Sequence, residues 1–157
     1  MCWKQIDLKA KTLTITDTKN NLAHSLPLPD YLFNLLSSRK RTTTSDFVFP
    51  GPGAAGHIIE PRKQIAKVIA ASGIQFSVHD LRRTFITIAE SLDIPAYALK
   101  RLLNHKMNAD VTAGYIMLDI ERLRNPMQMI ANHILLKMGV KKASPVLLFP
   151  SINQATV

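Results

Sequence analysis

The nine residues Ser77-Val78-His79-Asp80-Leu81-Arg82-Arg83-Thr84-Phe85 contain both a helix start and an anion site. Serine followed three positions later by an acid has the outline of a capping box, with Asp as the shorter substitute for Glu. Leu81, Phe85, Ile88 and Leu92 follow at helical spacing, so a helix is expected from Ser77 onward. His79 and Arg82, three residues apart, then share one face near the N-terminal end, where orphan amides favour an anion such as a phosphate. Arg83 points about 100° away from Arg82 and reads as a surface or DNA-backbone contact. A single His-x-x-Arg arises often by chance and is by default structural or solvated.

Upstream, Trp3 to Leu8 is strand-like and Thr12 to Thr16 alternates with the period of a half-buried strand. Asp17 to Asn21 is rich in turn formers and leads into Leu22 to Leu28. A three-stranded antiparallel meander is therefore expected, with Lys19 at or beside a hairpin turn. Pro29 can open a helix with Leu32, Phe33, Leu35 and Leu36 as its stripe, ending near Ser38. Residues 39 to 61 hold Arg39-Lys40-Arg41, a Thr run and Pro50-Gly51-Pro52-Gly53, and read as an exposed connection within one domain. Arg62 to Ser72 is helical by pattern, with Ile65, Val68 and Ile69 on one side, and Gly73 stops it.

Downstream, Pro95 opens a helix through Leu103 and Asn104 is a left-handed cap. Asp110 caps a short helix carrying Tyr115, and a last helix runs from Asp119 to Met138, with Pro126 a candidate break and Gly139 its end. The fold class expected is α+β, mostly α-helical, with a small three-stranded antiparallel sheet near the N-terminus. No repeat of 20 to 50 residues argues for a solenoid or propeller.

With 157 residues, 46% hydrophobic and 20% charged, the chain has the size and balance of one compact domain with a core. Lys and Arg number 20 against 11 Asp and Glu, a formal charge of +9 that calls for a polyanionic partner. No apolar stretch approaches the ~20 residues of a membrane span, and no signal-peptide pattern opens the chain. A cytoplasmic protein without membrane contact is expected. Cys2, the single cysteine, forms no internal disulfide and has no neighbouring ligands, so neither a metal nor a cofactor is expected.

His105 follows Leu102-Leu103 and should lie in a loop where an imidazole can donate to an anion. Tyr115, between Gly114 and Ile116, would by default be a core residue, and Tyr31 and Tyr97 are assigned to packing. The combination is more specific than its parts. Ser77 to Phe85, then Leu102-Leu103-Asn104-His105-Lys106, then Thr112-Ala113-Gly114-Tyr115, in that order, resemble the catalytic domains of tyrosine recombinases, most closely those of prophage integrases. Trp3-Lys4-Gln5-Ile6-Asp7-Leu8 and Thr18-Lys19-Asn20-Asn21-Leu22-Ala23-His24-Ser25-Leu26-Pro27-Leu28 resemble that family's strands, and Lys19 matches its hairpin lysine. The resemblance spans about residues 3 to 138.

The resemblance implies site-specific DNA recombination, as in prophage integration and excision, through a 3′-phosphotyrosyl intermediate and without metal. It implies Tyr115 as nucleophile, with His79, Arg82, His105 and Lys19 as the other catalytic residues. Arg83, Lys106, Arg62, Lys63, Lys100 and Arg101 are expected to touch DNA, since residues 62 to 106 hold eight Lys or Arg against three acids. Residues 1 to 140 would be a partial catalytic domain, and residues 141 to 157 a tail, swapped between subunits or frayed. The family's first catalytic Arg, just before the Trp-x-x-Ile-Asp strand, has no counterpart here, nor has a core-binding domain. Double-stranded DNA, a homo-tetramer on DNA and accessory DNA-bending proteins are the partners implied, in a bacterial cytoplasm and on the nucleoid. A catalytically incomplete DNA-binding remnant or regulator, and a type IB topoisomerase-like enzyme, are the other readings.

Overall fold

The computed structural model describes residues 1–16, 18, 23–105 and 120–140. Lys19, Lys106, Asp110, Tyr115 and the segment 141–157 lie outside the described residues. A 3-10 turn over Trp3–Gln5 leads into strand β1 (Ile6–Asp7), followed by β2 (Thr12–Ile15) and β3 (His24–Pro27). Five helices follow among the described residues: α1 (Asp30–Thr42), α2 (Arg62–Ser72), α3 (Val78–Ser91), α4 (Ala96–Leu102) and α5 (Glu121–Lys137). The strands form an antiparallel meander in the order β1-β2-β3, with Ile6 opposite Leu13 and Leu13 opposite Leu26. The expected α+β class, mostly helical with a small sheet, is the class observed.

Several boundaries differ from the sequence reading, each for a tertiary reason. Trp3 to Leu8 is not one strand, because the Cys2 amide donates to Gln5 Oε1 at 2.7 Å and closes a helical turn. The Trp3 amide donates to the Asp46 carbonyl, and only Ile6–Asp7 is left for the ladder. Helix α1 runs to Thr42, past Ser38. Its last-turn cations suit the negative helix end, and Arg39 Nε donates to the Val48 carbonyl at 2.6 Å while its guanidinium lies over Phe49. Lys40 lies over Trp3.

The connection after α1 is not simply exposed. It bridges Cys2 to Phe47 and Pro50 to His57, and buries Val48 completely. At Gly51 a Cβ would come within 2.9 Å of the His57 backbone, which explains a glycine there. Helix α5 continues unbroken through Pro126 at the loss of one intrahelical hydrogen bond. Tyr31, assigned to packing, is 46% exposed, and Leu81, assigned to the stripe of α3, is 57% exposed. The other three residues of that stripe, Phe85, Ile88 and Leu92, do pack on the core together with Ile86 and Ala89, and α2 buries no side chain among the described residues.

Two clusters make the core. Ala89, Ile94, Ala98, Leu99, Leu102, Leu123 and Ile130 join α3, α4 and α5, with Leu26 of β3 against them. Trp3, Ile6, Leu28, Leu36 and Val48 join the sheet, α1 and the connection after it. Helix α5 ties the two halves together. Arg124 makes a two-point pair with Glu121 (2.6 and 2.7 Å) and donates to the carbonyls of Ala10 (2.8 Å) and Lys11 (3.3 Å), while Gln128 Oε1 accepts from the Asp30 amide at 2.9 Å. Lys11 itself has φ 52°, so the β1–β2 turn is a shape the chain does not adopt by default.

Arg124→Ala removes donors from two backbone carbonyls in that turn. It is expected to lower the unfolding free energy by about 1–3 kcal/mol in urea titrations, with Arg124→Lys recovering only part of it.

Candidate phosphate-binding site

The site is built where the start of α3 meets the end of α4. Ser77 caps α3: its hydroxyl accepts from the Asp80 amide (3.3 Å), and Asp80 Oδ2 takes the Ser77 amide (2.9 Å) and hydroxyl (2.7 Å). The capping box read from the sequence is thus present. The Ser77 hydroxyl first, and then its amide, hold the Asp80 carboxyl below its ordinary range. Asp80 Oδ1 also lies 3.6 Å from Arg83. With Asp80 committed to Ser77 and Arg83, Arg82 on the next face of the helix makes no ion pair with a carboxylate among the described residues.

Arg82 reaches across to α4. Its Nη2 donates to the Leu103 carbonyl at 3.1 Å and to His105 Nε2 at 2.7 Å. Accepting through Nε2 requires His105 to be the neutral Nδ1–H tautomer, a state assigned from the hydrogen-bond network. His105 gets there through a Schellman-type ending of α4. Asn104 adopts φ 55°, its amide donates to the Arg101 carbonyl (3.1 Å), and the His105 amide donates to the Lys100 carbonyl (3.0 Å). The left-handed cap expected at Asn104 turns the chain so that the next side chain meets Arg82.

Of the catalytic residues read from the sequence, Arg82 and His105 are therefore in direct contact although 23 positions apart. His79 is exposed in the first turn of α3 and makes no hydrogen bond among the described residues. Lys63 and Lys100 are exposed. Arg62 is 2.6 Å from Glu60, a pair so exposed that it leaves the guanidinium available to another anion. Arg101 is half-buried, with its guanidinium over Tyr97 and its Nε donating to the Tyr97 hydroxyl at 3.3 Å. Sequence reasoning did not single out His24, whose imidazole lies at the end of α4 beside Arg101 and the Leu102 carbonyl. The only sequence signal for it is its place two residues before Leu26 on one face of a strand.

The model of the Phage integrase family matches residues 1–122. Prophage integrase IntF of Escherichia coli (strain K12) is 28% identical over 144 residues, which cover 88% of this chain and 31% of IntF. The chain thus spans about a third of that relative's length. The integrase from mycobacterium phage Brujita has a similar fold, with a TM-score of 0.66 over 83% of this chain and 44% of that one at 20% identity.

Ser77→Ala is expected to cost about 1 kcal/mol near pH 7, the usual worth of an N-cap. Because the folded Asp80 is held below its unfolded pKa, its contribution is present above the unfolded value and lost as pH falls through the folded one. The penalty for Ser77→Ala, read from urea midpoints, should therefore shrink in acid.

Proposed function

The chain belongs to the phage integrase family, and from that membership we propose that it is most of the catalytic domain of a tyrosine recombinase, acting in site-specific DNA recombination. The observation that carries the reading is the contact between Arg82 and His105. Two groups whose chemistry suits a phosphate are brought together, Arg82 from α3 and His105 from the turn after α4, with His79 in the capped first turn of the same helix as Arg82.

In the reaction proposed, the Tyr115 hydroxyl attacks the scissile phosphorus in line. The new bond is O–P to tyrosine, the bond broken is P–O5′, and the products are a 3′-phosphotyrosyl link and a 5′-hydroxyl. A phenol with pKa ~10 needs a proton acceptor at neutral pH, and His79, exposed and without a hydrogen bond among the described residues, is the acceptor assigned. Arg82 turns from His105 Nε2 to the non-bridging oxygens, where a planar fork of donors meets the developing charge; such donors are commonly worth ~3–4 kcal/mol each. His105 donates to the same phosphate once its Nε2 carries a proton. Lys19 delivers the proton that the departing 5′-oxygen takes up. Attack by a 5′-hydroxyl of another strand reverses the steps and completes the exchange.

Arg83, Arg62, Lys63, Lys100, Arg101 and Lys106 are the DNA-backbone contacts in this reading. The homo-tetramer, the accessory bending proteins and the cytoplasmic, nucleoid-associated setting belong to the proposed whole protein. The second reading is a DNA-binding chain of the same fold without turnover.

Incubation with a nicked suicide substrate is expected to give a covalent DNA adduct that is lost in Tyr115→Phe and falls by about 100-fold or more in Arg82→Ala. No adduct, with DNA binding retained, would establish the second reading. Affinity for duplex DNA should fall steeply and log-linearly with salt, and a flat response would refute both.

A further inference from the structure

Arg82 and His105 are both exposed, and the contact between them has a direction. A guanidinium carries N–H donors and no acceptor, so across 2.7 Å His105 Nε2 is the acceptor and the ring is neutral, with its hydrogen on Nδ1. Arg82 Nη2 has two N–H groups, of which one goes to the Leu103 carbonyl at 3.1 Å and the other to His105 Nε2. The two edges by which a guanidinium grips a pair of phosphate oxygens are Nε with Nη2 and Nη1 with Nη2. Both include Nη2, so while His105 holds it neither edge can take a phosphate at two points. No carboxylate fills that role either. Among the described residues no ion pair reaches Arg82 or His105, and Asp80 is taken by Ser77 and Arg83. The other charged or titratable groups that α3 and α4 offer here are His79, one turn before Arg82 and exposed, Lys100, exposed, and Arg101, whose guanidinium lies over Tyr97.

Resting on the reading above, we propose that this site takes a phosphate diester together with a proton: the diester displaces His105 from Arg82 Nη2, and the released ring binds a proton at Nε2 and donates to the diester as an imidazolium. The exchange balances. One Nη2–H···Nε2 bond is given up, an Nη2–H···O and an Nε2–H···O bond are formed, the Leu103 carbonyl keeps its own Nη2–H, and one proton comes from solvent, to which the ring is open. A ring that kept its hydrogen on Nδ1 would turn a lone pair toward a phosphate oxygen, which repels. An anion at contact distance favours the charged form of an imidazole, and it also stands between two cations that could not share the present contact. The bound state holds one proton more than the free one. Affinity for the diester therefore falls as pH rises through the range where imidazoles titrate, about pH 5 to 8, by no more than ~10-fold per pH unit.

The test uses the full chain at low salt and dimethyl phosphate, a diester that does not itself titrate near neutral pH. Nitrogen NMR of the imidazoles, with His105 identified by its loss in His105→Gln, is expected to show Nε2 unprotonated in the free protein at neutral pH. At saturating dimethyl phosphate both ring nitrogens should carry hydrogen. The binding constant should fall with rising pH in wild type and stay flat in His105→Gln, whose amide can donate without titrating. A free ring already protonated at Nε2, a bound ring that stays neutral by moving its hydrogen from Nδ1 to Nε2, or no binding of the diester would each overturn the proposal. So would an equal pH slope in His105→Gln, which would assign the proton to another group such as His79. Should His105→Gln not fold, the wild-type nitrogen spectra decide. Should the suicide substrate give no adduct with wild type, the recombinase reading fails while the dimethyl phosphate titration still decides the proton linkage.

Discussion

An α-helix ends with carbonyls that the helix itself cannot satisfy, and in this chain that rule, applied to the end of α4, assembles the site. Three of the carbonyls there find three different donors: the His105 amide on Lys100, the Asn104 amide on Arg101 and the Arg82 guanidinium on Leu103. The first two turn the chain back on itself and the third ties in α3. Leaving one of them buried and unpaired would cost about 1–3 kcal/mol, so correct assembly of the site is coupled to satisfying the helix. The hydrophobic cluster beneath, with Leu99 and Leu102 against Ala89 and Ile130, sets where that helix end stands.

The halves of the molecule are joined by polar contacts as well as by the core. Arg124 holds the β1–β2 turn from α5, and Gln128 holds the first amide of α1, both across more than ninety positions of sequence. Such bonds are directional in a way apolar contact is not, and fix the sheet's angle against α5. Since Leu26 of β3 also packs on the cluster of α3, α4 and α5, the sheet meets the helical half at two separated points.

What the sequence made legible was what local chemistry controls. Pro29, Gly73, the Ser77–Asp80 box, Asn104 and Gly139 each mark a helix end by their own backbone preference, and the structure places ends there within a residue. Trp3–Gln5 and the extension of α1 to Thr42 were not legible. The first depends on a carbonyl at Asp46 and the second on one at Val48, both supplied by a connection whose composition suggested no fixed structure. His24 escaped for the same reason: a histidine opening a strand looks unremarkable until the end of α4 arrives beside it. The Arg82–His105 contact lay between these cases, since helical spacing placed Arg82 beside His79 but only the family pattern linked it to His105.

That contact also explains why the position calls for arginine. A guanidinium can leave one nitrogen on the Leu103 carbonyl while its remaining N–H groups stay aimed in the same plane, which suits the phosphate role proposed for it. An ammonium held by the same carbonyl would keep its charge but lose the fixed direction of its other donors. The His105 imidazole meanwhile accepts from Arg82 Nη2 at 2.7 Å. Preorganised donors spend little energy on reorientation as charge develops, and the stable end of α4 provides that preorganisation here.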